Sequence, residues 1–196
     1  MNETKARLRK ELVARRDALP PGAQERFARA VVAKLAALPQ YAAARSVLAT
    51  MSIGSEWSTR PFLDRARADG KAIFLPRITD ARPKRLQLHR VADLDRDLRP
   101  GVWDIPEPDP ARCPEGEITD VDFALVPALA IDREGYRLGY GAGYFDKLLA
   151  GRGPNTFCVT ALPSPFVVDL LPHEPHDIAL HLIVSDTGAI PVKKAA

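Results

Sequence analysis

Apolar residues recur at helical spacing along the first forty positions. Over 3–18, Leu8 and Leu12 share a side, with Leu19 just beyond, among many basic residues; the spacing predicts a helix. From about 23 to 38, Phe27, Val31, Leu35 and Leu38 step by four, four and three, an apolar stripe that predicts a second helix. Pro20, Pro21 and Gly22 separate the two, and Pro39 is expected to close the second. The pattern then shortens. Apolar runs at 46–52, 71–76, 122–130, 157–162 and 180–184 predict strands, the run at 122–130 being the most hydrophobic. Partial alternation through Leu86 and Leu88 predicts an edge strand or hairpin arm over 85–91. A helix is expected at 59–68, capped by Thr59 and ended by Gly70, and another from about 144 to 150. Prolines and glycines crowd 92–120, which reads as loop. This alternation predicts an α/β fold with a mostly parallel sheet flanked by helices. No repeat or long linker divides the chain, so 1–196 is expected to form a single domain.

Composition narrows the class. A chain of 196 residues can bury one sizeable core. With 46% hydrophobic and 27% charged residues it reads as globular rather than disordered. A net charge of only +3 suits an enzyme handling anionic small molecules and gives little support to a nucleic-acid binder. Cys113 and Cys158 are far apart and form no CxxC, so neither a zinc site nor a disulfide framework is implied. The polar N-terminus has no apolar signal region, and no run reaches membrane-spanning length. A cytoplasmic protein, free of membranes, is expected.

The chemistry concentrates at 137–146, Arg-Leu-Gly-Tyr-Gly-Ala-Gly-Tyr-Phe-Asp. Gly139, Gly141 and Gly143 occupy every second position, so the backbone can approach a ligand closely and adopt positive φ. Successive amides can then form an anion-binding concavity. Arg137 can fork onto phosphate oxygens, and Asp146 can hold Mg²⁺. The block is neither the dinucleotide fingerprint nor a Walker loop. A closely packed strand-to-helix turn would show the same glycines, and spacing alone leaves both readings open.

Four further features carry an alternative each. Lys5 and Arg9 share a helical face and can clamp a polyphosphate, or simply form a solvated basic face. Glu56, in the loop after an early strand, can accept hydrogen bonds from paired N–H donors of a heterocycle, or be an exposed loop carboxylate. Trp103, in a proline-stiffened loop, offers a flat surface for a ring, or plugs the core. His173 and His176 suggest a metal pair, but Pro175 breaks the helix that would align them. Asp177 is the better oxygen ligand for Mg²⁺.

Taken together and in order, these pieces resemble the 5-formyltetrahydrofolate cyclo-ligase (methenyltetrahydrofolate synthetase) family over nearly the whole chain. The resemblance runs through Lys-x-x-Leu-Arg at 5–9, Ser-x-x-x-Glu-x-x-Thr at 52–59 and Phe-Leu-Pro at 74–76. It continues through Ile-Pro-Glu-Pro at 105–108, Val-Pro-Ala-Leu-Ala-Ile-Asp at 126–132 and the glycine block. It implies ATP- and Mg²⁺-dependent closure of 5-formyltetrahydrofolate to 5,10-methenyltetrahydrofolate, with release of ADP and phosphate. ATP is expected at Lys5, Ala6, Arg7, Leu8 and Arg9, and at Arg137, Leu138, Gly139, Tyr140, Gly141, Ala142, Gly143, Tyr144 and Phe145. The folate substrate is expected at Ile53, Glu56 and Trp103, and along Tyr140, Gly141, Ala142, Gly143 and Tyr144. Asp146 and Asp177 match the magnesium positions, and Arg137 and Asp146 the catalytic ones. A monomer is expected, with a fold related to the sugar-phosphate isomerase and CoA-transferase architecture.

The block departs from the family pattern at three positions. Ala142 replaces a glycine and is tolerable at negative φ. Phe145 lacks a tyrosine hydroxyl, so no proton transfer can be placed there. Lys147 keeps the charge of an arginine without its fork. Two other classes stay open beside the ligase: a folate- or nucleotide-binding regulator without turnover, and a sugar-phosphate isomerase that would need no ATP.

Overall fold

Residues 2–79 and 85–192 are described in the structure, a computed structural model. The chain opens with helices α1 (Asn2–Asp17), α2 (Ala23–Ala36) and α3 (Pro39–Ala43), then strand β1 (Ser46–Leu48) and helix α4 (Arg60–Ala68). Strands β2 (Ala72–Ile78), β3 (Leu86–Val91), β4 (Leu98–Pro100), β5 (Pro106–Pro108) and β6 (Glu115–Gly116) follow. Then come β7 (Phe123–Leu125), β8 (Ala130–Asp132), β9 (Arg137–Leu138), α5 (Tyr144–Ala150), β10 (Phe157–Ala161), β11 (Val167–Val168), β12 (Leu182–Ser185) and β13 (Gly188–Pro191).

Eight strands form the main sheet in the order β13-β12-β10-β7-β1-β2-β3-β6. The five from β12 to β2 are parallel, while β13 pairs antiparallel with β12 at one edge, and β3 with β2 and β6 with β3 at the other. The expected mostly parallel α/β sheet is therefore present. Its central strands are buried on both faces, as parallel strands require. Val47, Phe123 and Val159 point to one side, where they meet Phe27, Val31 and Leu35 of α2, Tyr41 of α3 and Phe62 of α4. Their neighbours Leu48, Ala124 and Cys158 point to the other, against Leu12 of α1 and Leu149 of α5.

Several boundaries differ from those the pattern predicts. The second helix stops at Ala36, and Pro39 opens α3 instead of only closing α2, because a proline at the first helical turn forfeits no hydrogen bond. Thr59 precedes α4 but makes no side-chain cap; its hydroxyl donates to Thr50 O at 2.6 Å and ties the intervening loop to the end of β1. The run at 122–130 is two strands, not one. Pro127 lacks an N–H, so the ladder with β10 ends on the bond from Val126 N to Val159 O. The chain then enters a separate small sheet, β11-β8-β9. The 85–91 segment is a hairpin arm against β2, and β6 covers its outer side. Among the described residues no helix is long and apolar enough to cross a membrane.

Candidate active site

The glycine block is delivered by the β8–β9 hairpin. Asp132 is fully buried at the hairpin's root. Its Oδ1 accepts the amides of Glu134 and Tyr136 at 3.0 and 2.9 Å, and its Oδ2 accepts Leu171 N at 3.0 Å. A buried carboxylate with three donors is fully occupied in organising a turn. The loop at 139–143 then needs glycine at two places for different reasons. Gly141 has φ +106, and a Cβ there would lie 3.1 Å from the Arg9 guanidinium carbon. Gly143 has φ +65 and caps α5. Ala142 is not at positive φ, so its methyl carries no backbone strain. Gly139 faces open space.

Two cations reach this end of the site from α1, Lys5 to the 174–178 turn and Arg9 to the glycine loop, on the face shared by positions 5 and 9. The buried Lys5 Nζ meets Asp177 Oδ2 at 2.7 Å. Arg9 Nε donates to Gly139 O at 2.9 Å. Arg137 is not the free fork expected from the sequence: its guanidinium is buried and both terminal nitrogens are engaged. Nη1 donates to Ile178 O at 3.0 Å and Nη2 to Asp146 Oδ1 at 3.0 Å. Burial pulls this guanidinium below its ordinary pKa, and the charge of Asp146 partly restores it. Asp146 Oδ1 also accepts Ile178 N at 3.1 Å. Arg137 thus braces Asp146 against the 174–178 turn. That turn is set by Asp177, whose Oδ2 accepts Glu174 N at 2.8 Å.

At the other end stands the 52–59 loop. Glu56 is far from an idle surface carboxylate, its side chain being 13% exposed. Its Oε2 accepts Ile53 N at 3.0 Å. Its Oε1 accepts the Tyr140 hydroxyl and lies 3.6 Å from Arg16 Nη1. Arg16 also donates to Tyr140 Oη at 2.8 Å. Burial, then the charge and hydrogen bond of Glu56, push the Tyr140 hydroxyl above the ordinary phenol range, so it remains a donor.

A cleft of about 550 Å³ runs between the two ends, a volume that suits a drug-sized ligand. Lys5, Arg9, Ile53, Glu56, Asp177 and every residue from 137 to 146 line it. Ala6, Arg7 and Leu8 do not. Arg7 projects into solvent and pairs with Glu11 at 3.6 Å, Ala6 is exposed, and Leu8 packs on the core; one helix face cannot present five consecutive residues to one cleft. Trp103 belongs to the 3-10 turn Val102–Asp104, and its side chain lies outside the described part of the structure. Its neighbours Ile105 and Pro106 line the cleft with Met51, Leu75, Ile78 and Leu86. Sequence reasoning missed this apolar wall, and it missed Arg16. The signal for Arg16 was available: positions 5, 9, 12 and 16 repeat at helical spacing.

Fold and cleft together define a class: an α/β enzyme of small molecules, with cations at one end of the cleft and a braced carboxylate at the other. Comparisons with known proteins narrow this. Residues 1–186 match the model of the 5-formyltetrahydrofolate cyclo-ligase family. A 5-formyltetrahydrofolate cyclo-ligase of Mycolicibacterium smegmatis is 31% identical over 97% of this chain and 98% of its own. One of Saccharomyces cerevisiae is 32% identical over 74% and 78%. The solved 5,10-methenyltetrahydrofolate synthetase of Aquifex aeolicus superposes with a TM-score of 0.84 at 28% identity, covering 98% of this chain and 94% of that one. That of Mycoplasma pneumoniae, at 20% identity and a TM-score of 0.74, shares the fold over 93% and 98%. The chain belongs to the 5-formyltetrahydrofolate cyclo-ligase family.

The electrostatics of Asp177 give a pH signature. Burial pushes its carboxyl up, but the Lys5 hydrogen bond, the Glu174 amide and the Lys5 charge together hold it below its ordinary value. A lowered folded-state pKa adds stability above the unfolded value and loses it as pH falls through the folded one. Asp177→Asn should therefore be less stable than wild type at about pH 7, with a narrower gap at about pH 3. Denaturant unfolding at both pH values reads this, and a gap undiminished in acid would contradict it.

Proposed function

We propose that this protein closes 5-formyltetrahydrofolate to 5,10-methenyltetrahydrofolate at the expense of ATP. The observation that carries the reading is the two-ended cleft: Glu56 at one end and Lys5, Arg9 and the 139–143 amides at the other, in a member of this family. Glu56 would accept the N–H donors of the pterin, with Ile53 against the ring and Met51, Ile78 and Leu86 along the remainder. Lys5, Arg9 and the glycine loop would hold the phosphates.

The formyl oxygen is a poor leaving group. Its attack on the γ-phosphorus expels ADP and gives an activated iminium phosphate. The neighbouring secondary amine then adds to the carbon and loses its proton. The C–O bond breaks with its electron pair on oxygen, and phosphate departs. The chain's own contribution is positioning and neutralisation of charge.

The donor set fits Mg²⁺. Among the described residues no three His, Cys, Asp or Glu gather into an ion cage, and Mg²⁺ needs only one or two carboxylates beside phosphate and water. Asp146 has one oxygen held by Arg137 and Ile178. Asp177 has one held by Lys5 and Glu174. The other oxygen of each would serve the ion. Bound there, it would neutralise charge on the transferring phosphoryl group. Arg137 then acts by fixing Asp146 rather than by forking onto phosphate.

We further infer one cyclo-ligase domain over 1–196, acting as a cytoplasmic monomer without nucleic-acid or membrane partners; the small net charge of +3 supports the absence of a nucleic-acid partner. The parallel sheet with antiparallel edges supports a relationship to the sugar-phosphate isomerase and CoA-transferase architecture. That Lys5, Arg9, Glu56, Asp146 and Asp177 all line one cleft supports the enzyme over the inactive regulator.

Incubation with 5-formyltetrahydrofolate and Mg-ATP should produce the methenyl chromophore in the ultraviolet, and omission of ATP should abolish it. ATP-independent product or none would overturn the reading. Asp146→Asn should lower turnover on the order of 100-fold or more with an unchanged fold by circular dichroism; wild-type turnover would sink the metal assignment. Glu56→Ala should raise the folate KM on the order of 10–100-fold while the ATP KM moves little. Equal effects on both would count against the pterin role.

A further inference from the structure

We propose that Arg16 is a positioning residue for the folate-side carboxylate, and that through it α1 spans the cleft from phosphate end to pterin end; the proposal rests on the cyclo-ligase reading above.

Positions 5, 9, 12 and 16 fall on one face of α1. Lys5 and Arg9 serve the phosphate side, Leu12 is buried in the core, and Arg16 turns toward the 52–59 loop. Eleven residues of helix rise roughly 16 Å, the reach of an extended two-ligand cleft. One rigid element therefore sets the separation of the two ends.

Arg16 does at the pterin end what a single-point cation cannot. Nε donates to Ser55 Oγ at 2.8 Å, while Nη1 donates to Tyr140 Oη at 2.8 Å and stands 3.6 Å from Glu56 Oε1. The Tyr140 hydroxyl in turn donates to that same Oε1. Ser55 is held further by Gln24, whose Nε2 donates to Ser55 O at 2.7 Å, and its hydroxyl donates to Asp17. Arg16 and Glu56 side chains are 10% and 13% exposed. Charges this far from water depend on their partner. Among the described residues Arg16 is the cation paired with Glu56.

The same guanidinium also joins the two ligand loops. Ser55 and Glu56 belong to the folate-side loop, and Tyr140 to the glycine block. The Arg16 guanidinium also lies 5.9 Å from the centre of the Tyr140 ring. Loss of Arg16 would leave Glu56 without its cation and remove its link between the two loops. A planar fork can satisfy Ser55 and Tyr140 together, whereas an ammonium at the end of a flexible stem restores the charge at Glu56 and one hydrogen bond.

Steady-state kinetics of the full chain with 5-formyltetrahydrofolate and Mg-ATP test this. Arg16→Met should raise the folate KM on the order of 10–100-fold, with the ATP KM within about twofold. Arg16→Lys should recover most of that loss. Tyr140→Phe should raise the folate KM by itself but add little in the Arg16→Met background, because the two side chains act as one unit on Glu56. If Arg16 merely anchored α1, Arg16→Met would lower the amount of active enzyme and leave the folate KM at the wild-type value; that result would overturn the proposal. So would an equal rise in both KM values, or full additivity with Tyr140→Phe. Should Arg16→Met fail to fold, Arg16→Gln and the Tyr140→Phe cycle on Arg16→Lys give the same comparison. Wild-type protein that forms no methenyl product would overturn the cyclo-ligase reading and this role with it, an outcome distinct from a normal folate KM in the variant.

Discussion

Five strands that run the same way put their carboxyl ends along one edge, and two of the loops that line the cleft leave from that edge. The constraint is physical. Parallel strands must be joined by crossovers that return over the faces of the sheet. The segments that leave the carboxyl ends are therefore free of the ladder and gather on one side. Here they are the 52–59 loop after β1 and the 126–143 stretch after β7. The crossovers also bury the central strands on both faces, so Val47 and Leu48, or Phe123 and Ala124, each belong to a different core cluster. The frame is rigid for the same reason that the loops are available.

A cleft built from loops needs something to fix their separation, and α1 supplies it. One face of a single helix carries Lys5, Arg9 and Arg16, and each of the three is tied to a different part of the rim. Buried charges are tolerable only when paired and hydrogen-bonded. The pairs Lys5–Asp177, Arg137–Asp146 and Arg16–Glu56 meet that condition. The carboxylate member of each pair lines the cleft. The same interactions thus hold the rim in shape and present charge to a ligand.

Much of the frame was legible in the sequence. Helical spacing marked α1 and α2, and short apolar runs marked the central strands, because periodicity reflects burial directly. The glycine block was legible too, since two of its glycines occupy positive φ. What failed was local and had local causes. Hydrophobicity cannot register that Pro127 has no N–H to give, so two strands read as one. Pro39 reads as a stop although it can also begin a helix. Thr59 reads as a cap, but its hydroxyl found the Thr50 carbonyl at the strand end. The site was less legible than the frame. Charge partners are set by tertiary contact, so the sequence offered Arg137 as a free fork when Asp146 and Ile178 hold it. Helical spacing put Arg16 on the face of Lys5 and Arg9, but its partners Ser55, Glu56 and Tyr140 are set by tertiary contact. The apolar wall of Ile78, Leu86 and Ile105 comes from three separate segments and has no local signature.

The central claim is that one cleft brings the γ-phosphorus of ATP to the formyl oxygen of the folate. The most direct measurement labels that oxygen with a heavy isotope, runs the reaction in ordinary water, and weighs the released phosphate by mass spectrometry. The account predicts one heavy oxygen in each phosphate, transferred when the C–O bond breaks. Unlabelled phosphate formed alongside methenyl product would mean that ATP is cleaved without phosphorylating the substrate, and would contradict it.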